Sequence, residues 1–348
     1  MVKDVNGYLQ EFLSTYQLCK QQRSCEDGCM LIGCIDLYEA TGEACYRDFV
    51  IDALAQRVAP DGSILCPDAD ERNLGAVNCG KALFFALKET GDARYRQAIE
   101  RHMERMRARP RCTCGSFRYG EADGLYMTQP FCMAYEVAFG GLAHLADITR
   151  QFENAHRCLY HTENGLSSHA CNSLQIQQGT SREAGCSANL RLRAKGCYLM
   201  ALIDCMGLLG RDRLFEHYKA LEDGFRAGIR DILRYQDAAT GLFDQMIDHR
   251  ERPDNGLESS CSAMVAYALM KGVRLGALDE EKYLPLGVRA YEGLRECKLL
   301  PDAGGHLRLT DRCSSPFGPD AACVFDGGVG AGVFMMAHAE YLRSGWTD

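Results

Sequence analysis

The sequence runs to 348 residues, 47% hydrophobic and 25% charged, which supplies enough apolar material for a large buried core. A formal net charge of -8, with no Lys/Arg-rich run, argues against a nucleic-acid surface. No stretch of about 18 apolar residues is available to span a membrane.

The first segment, "MVKDVNGYLQEFLSTYQ", lacks a signal-peptide core and reads as an amphipathic helix, so a cytoplasmic location is expected. Nineteen cysteines are many, and an odd number. In a reducing compartment they read as small buried hydrophobes, as in "LIGCIDLYEA" and "GCYLMALIDCMGLLG". The closest pairs, Cys25/Cys29 and Cys112/Cys114, match no metal-ligand spacing, and neither a metal nor a cofactor is expected.

A repeat follows. "EATGEACYRDFVIDALAQRVAPDG" and "KETGDARYRQAIERHMERMRARP" share an acid, Thr-Gly, a second acid and then Tyr in register. "AFGGLAHLADITRQFENAH" continues it, with Gly42, Gly91 and Gly140 evenly spaced. Later joints, "LLGRDRLFEHYKAL" and "RLGALDEEKYLPLG", come at longer intervals. Each glycine is placed to end a helix, because it adopts the left-handed cap without steric penalty. Helices before the joints are apolar nearly all round and those after them are charged on one face, which predicts inner helices wrapped by outer ones. No convincing period-2 strand appears. Five joints and the terminal "GVGAGVFMMAHAEYL" predict an all-α (α/α)6 barrel of six hairpins, and without a Ser-, Pro- or Gly-rich linker it forms a single domain over residues 1–348.

The outer-to-inner loops, among them "PDGSIL", "RCTCGSFRYGEADG", "TENGLSSHACNS" and "ATGLFDQMID", join the same ends of successive hairpins. Function is expected there. The third places His169, Cys171 and Asn172 together, which leaves a thiol nucleophile, a metal site or an acid/base loop without its acid as readings. The first is disfavoured, since neighbours in a short loop rarely hold nucleophile and base in line.

Five stretches then occur in order: "DGLYMTQPF" from Asp123 to Phe131, "DITRQF", "NGLSSHACN", "GCSANLRLRAKGCYLMALID" and "NGLESSCSAMVAYALMKGVRLG". In this order they resemble the unsaturated glucuronyl and rhamnogalacturonyl hydrolases of glycoside hydrolase families 88 and 105, from about Asn78 to Leu342. The resemblance implies an (α/α)6 barrel and an enzyme that removes a Δ4,5-unsaturated uronic acid from a lyase-generated oligosaccharide. In those families an aspartic acid protonates the C4=C5 bond and assists water attack on C5, and the hemiketal opens to release the neighbouring sugar.

Carried over by motif, Asp123 matches the first family aspartate, and Tyr126 and Gln129 of the same stretch are candidate substrate contacts. The loop that usually reads His, small, Trp, Asp here reads His169, Ala170, Cys171, Asn172. Asn172 thus stands at the proton donor's position, where an amide cannot transfer a carboxyl proton. Arg193 and Tyr198 match a further family stretch that has lost both its tryptophans, and Trp346 is the only tryptophan in the chain. His169, Arg193 and Tyr198 are expected to bind substrate, with Arg193 suited to a carboxylate. The expectation is a divergent, catalytically impaired hydrolase, monomeric or homodimeric, whose partner is an oligosaccharide with an unsaturated uronyl end. The alternatives are a non-catalytic carbohydrate-binding barrel and another (α/α)6 uronide enzyme, an epimerase or a lyase.

Overall fold

The computed structural model describes residues 3–18, 24–65, 74–119, 123–161, 166–167, 192–247, 255–311 and 324–346. Glycines end the helices where the sequence places the joints. Gly42, Gly91, Gly210 and Gly276 have φ of 75°, 69°, 77° and 69°, the left-handed conformation that only glycine adopts freely. At the third joint the cap is Gly141, not Gly140. Residues Glu136–Gly140 form a π-helical turn, and its extra residue moves the cap one position along the chain.

The chain forms two compact units, residues 1–53 with 235–348, and residues 54–234. The first begins with α1 (Val5–Thr15), α2 (Ser24–Thr41) and α3 (Ala44–Ala55). The second contains α4 (Gly75–Gly80), α5 (Ala82–Thr90), α6 (Ala93–Ala108), α7 (Gly124–Tyr135), α8 (Leu145–Leu159), α9 (Leu192–Leu209) and α10 (Phe215–Leu233). The chain then re-enters the first through α11 (Ser259–Arg274), α12 (Glu280–Cys297) and α13 (Gly328–Ser344).

Two kinds of helix appear, as the sequence pattern requires. In the second unit α9 is buried continuously from Ala194 to Met206. In the same unit α6 buries one stripe, Tyr95, Ala98, Ile99, His102, Met103 and Met106, spaced for a single helix face. There α7 packs on α4 and α9, and α10 on α8 and α9. In the first unit α11 is buried from Ser259 to Met270, and α13 packs against α2 and α11. Burying each large apolar side chain contributes about 1.5–3 kcal/mol. Free thiols take part in these cores, Cys34, Cys132, Cys205 and Cys261 all being buried.

The absence of strands was an incorrect expectation. Short antiparallel pairs close the outer-to-inner connections: β1 (Tyr160–His161) with β2 (Leu166–Ser167), β3 (Phe243–Asp244) with β4 (Leu257–Glu258), and β5 (Leu299–Pro301) with β6 (Leu307–Asp311), which also pairs β7 (Val324–Phe325). Single bridges, Val58 to Ile64 and Arg111 to Phe117, do the same in two further connections. Apart from the five-residue β6, these strands have two or three residues, too few for an alternation that a sequence pattern reveals.

Two histidines are folded into apolar surroundings. His102 meets the Phe131 ring edge-on at 5.8 Å, and burial pulls its pKa down to about 3. His338 lies 2.6 Å from the Tyr291 hydroxyl and 3.2 Å from Asn6 Oδ1, and burial pulls it down to about 4. Both are neutral in the folded chain, whereas in the unfolded chain they protonate near pH 6.5. Stability present above that pH is therefore lost as pH falls toward about 4, by up to about 1.4 kcal/mol per histidine per pH unit. Urea midpoints measured across this range should fall with pH, and more shallowly in His102→Leu than in the parent. Parallel curves would show that His102 does not contribute.

Candidate functional site

The connection between α6 and α7, "PRCTCGSFRY", turns sharply, with Cys112 N–H donating to Ser116 O at 2.8 Å. One polar stripe of α8 holds it. Asp147, Gln151 and Asn154 follow one another at helical spacing and so share a face. Asp147 takes both guanidinium nitrogens of Arg111 at 2.7 Å. Gln151 Oε1 accepts from Phe117 N–H at 3.0 Å and from the Tyr119 hydroxyl at 2.9 Å. Asn154 Nδ2 donates to Cys114 O at 2.9 Å and Ser116 Oγ at 3.0 Å. The "DITRQF" motif therefore fixes the loop that leads into α7. Gln151→Leu leaves two buried donors unsatisfied, at about 1–3 kcal/mol each. Denaturant unfolding should show that loss, and a change under 1 kcal/mol would mean that the loop is held by its other bonds.

The start of α7 is set by contact. A Cβ on Gly124 would fall 2.6 Å from the Tyr119 ring and 2.9 Å from Leu74, so only glycine lets Tyr119 pack against the first turn. The helix begins here, and Pro130 lies inside it. Proline has no N–H for the carbonyl four residues earlier. That carbonyl belongs to Tyr126, and Lys81 Nζ reaches it at 3.4 Å while lying 3.5 Å from the centre of the Tyr126 ring.

Asp123 stands immediately before this helix, and its carboxylate does not cap it. Instead Oδ2 accepts from Arg193 Nε, at the start of α9, at 2.8 Å. The Asp123 side chain is 7% exposed and that of Arg193 28%. Its other oxygen, Oδ1, is buried and has no hydrogen-bond partner among the described residues. One carboxylate oxygen is thus fixed, while a buried acceptor in the state of the other normally answers to a donor.

Of the other residues singled out in the sequence, His169, Cys171 and Asn172 lie outside the described residues. Tyr126 is buried beneath Lys81. Gln129 is buried on α7, donating from Nε2 to the Tyr119 hydroxyl at 2.8 Å. Tyr198 packs edge-on against Phe152 of α8, 6.0 Å between centroids, with Gly224 of α10 near its hydroxyl, and burial pushes its pKa up. The geometry thus joins Asp123 to Arg193 and sets Gln129 and Tyr198 between helices. Lys195, two residues beyond Arg193 on α9, is buried 3.9 Å from Asp231 Oδ2, and burial lowers its pKa to about 8.

Two groups escaped the sequence reading. Lys81 has a signal in the Pro130 that needs a substitute donor. In the other unit, Glu258 at the start of α11 is buried, accepting from Ser260 Oγ through one oxygen, with the other unpaired among the described residues. It lies in the quoted "ESSCSAMVAYALMKG" stretch, and a buried acid before an apolar run was the available signal.

The chain is similar over its whole length to a Clostridium structure, from C. acetobutylicum ATCC 824, of a glycoside hydrolase from family 105: 29% identity, 97% of this chain and 99% of that one, TM-score 0.87. It shares its fold with an unsaturated glucuronyl hydrolase from Bacillus sp. GL1, responsible for the degradation of glycosaminoglycan, at 15% identity, covering 93% and 86% of the two chains with a TM-score of 0.67. A 24.9 kDa protein in the picA locus of Rhizobium radiobacter is 32% identical over 234 residues, 62% of this chain and 98% of that protein. These likenesses carry the mostly helical (α/α)6-barrel fold that the repeat predicts. The profile of Glycosyl Hydrolase Family 88 matches residues 2–344, and with nearly every residue inside that match the chain belongs to this family of glycoside hydrolases.

Proposed function

We propose that the protein hydrates the C4=C5 double bond of a Δ4,5-unsaturated uronic acid at the end of a lyase-generated oligosaccharide. A proton is added at C4 and water oxygen at C5, and the hemiketal so formed opens and releases the next sugar. The supporting observation is the Asp123 carboxylate, buried at the head of α7 with one oxygen held by Arg193 and the other unpartnered among the described residues. Oδ1 is the atom to accept a ring hydroxyl or handle the proton. Arg193, already bound to Asp123, acts here as its positioning partner, in place of the direct grip on the uronate expected from the sequence. Asn172 at the donor's position makes the reaction slow.

The test is to incubate purified protein with unsaturated disaccharides from pectin and from glycosaminoglycans and follow the double-bond absorbance. Slow loss with release of the second sugar is expected. No loss for any disaccharide at high protein concentration would overturn the reading. The Asn172 substitution favours one second reading, a barrel that binds the unsaturated uronide without turning it over, which calorimetric binding in the absence of product would show.

A further inference from the structure

A cavity of about 250 Å³ lies within the second unit among α6, α7, the start of α8 and the α6–α7 loop. An apolar cavity of roughly 150 Å³ accommodates benzene, so this one admits a ring with several further atoms. Met103, Met106, Phe117 and Ile148 give it an apolar wall. Two α7-side residues of the lining, Gln129 and Glu136, are wholly buried, and Oε1 of each has no hydrogen-bond partner among the described residues. Buried oxygens left in this state normally answer to a donor.

The bonds around Gln129 determine which amide atom is free. Phe117 N–H donates to Gln151 Oε1 and Gln151 Nε2 donates to Gly115 O, which fixes the Gln151 orientation. Tyr119 gives its single hydroxyl proton to Gln151, so it accepts from Gln129 Nε2. Thr128 spends its own proton on Gly124 O and accepts from the same nitrogen at 3.2 Å. The remaining Gln129 atom is therefore the oxygen, an acceptor.

Glu136 is the second acceptor. Oε2 takes the His144 N–H at 3.1 Å, beside the first residue of α8. The carboxylate has no ion-pair partner among the described residues, while the other acid of the lining, Asp147, is matched by Arg111. The backbone is unusual at this point, with the π turn at Glu136–Gly140 and Leu142 at φ 66°, and such irregularities gather where ligands bind. Seven residues of helix separate the two acceptors, about 10 Å along the axis.

We propose that this cavity binds a small, elongated amine, its ammonium group on Glu136 and a second donor, a hydroxyl or amide N–H, on Gln129. An anion would meet the unpaired carboxylate, since of the two lining arginines Arg111 is matched by Asp147 and Arg107 lies over the Tyr135 ring, and a purely apolar molecule would leave both oxygens unsatisfied. The site is separate from the Asp123 and Arg193 pair, and its occupancy is read without reference to hydrolysis.

Tyramine is a suitable probe, with an ammonium and a phenol at opposite ends of a ring. Calorimetry on the full chain should show saturable binding, with a raised melting temperature. 2-Phenylethylamine, lacking the phenol, should bind several-fold more weakly, and 4-hydroxyphenylacetate not at all. Glu136→Gln keeps an oxygen for His144 N–H and should weaken tyramine by about tenfold or more. Should that variant fail to fold, Gln129→Leu serves instead, by abolishing the preference for tyramine over 2-phenylethylamine. Absence of tyramine binding at millimolar concentration overturns the proposal. So does equal binding of the anion, or affinity unchanged in whichever variant folds.

Discussion

Asp123→Asn should lower turnover of an unsaturated disaccharide by about 10²–10⁴-fold while the helices remain in place. From sequence alone the substitution looks neutral for stability, because asparagine caps helices nearly as well as aspartate. The structure changes that expectation. Asp123 makes no capping bond and is tied to Arg193, so asparagine replaces a charge-assisted hydrogen bond by a weaker one. A loss of about 1–3 kcal/mol follows, visible as a lowered melting temperature with an unchanged circular dichroism spectrum. The neutral amide still reaches Arg193 but has no carboxylate to accept or return a proton. Full activity in a folded Asp123→Asn protein would remove Asp123 from the reaction and most of the case for catalysis with it.

The second large effect is a gain. The proposed function puts Asn172 at the proton donor's position, so on that proposal Asn172→Asp should raise turnover by about 10²-fold, the typical contribution of one positioned acid/base. The increase should appear in kcat, because the substitution restores a proton rather than a binding contact. A pH profile distinguishes repair from accident: the variant should acquire a limb reporting ionisation of the new carboxyl that the parent lacks. An unchanged rate with an intact fold would mean that the residue is out of line with C4.

These expectations rest on unequal parts of the sequence. The helical hairpins were legible because two signals reinforce each other, glycine caps and a switch from all-apolar to one-faced helices. Gly42, Gly91, Gly210 and Gly276 close their helices as read, and only the π turn after Tyr135 displaced a joint, since nothing in "EVAFGG" marks one additional residue per turn. The short strands were invisible, being fixed by the geometry of closing a loop and not by side-chain alternation. The pairing of Asp123 with Arg193 joins residues from different helices, and neither motif alone encodes it. Gln129 and Tyr198, expected as substrate contacts, also have a packing role. A motif selects residues that must stay together, and here part of that requirement is helix packing: Gln129 orients Tyr119, and Tyr198 fills the space beside Phe152.

The paired stems bear on how such a protein diverges. Val58 with Ile64 and Arg111 with Phe117 close a turn just after the outgoing helix, and Phe243 with Glu258 pairs just before the incoming one. Residues beyond a clamp can be lengthened, shortened or exchanged while the anchors stay put, and loop-closure entropy grows only slowly with length. Variation in the tips is thereby uncoupled from the integrity of the scaffold. A lineage can exchange residues inside such a stem and keep a fully folded protein, ready to be retuned by a handful of substitutions at those same positions.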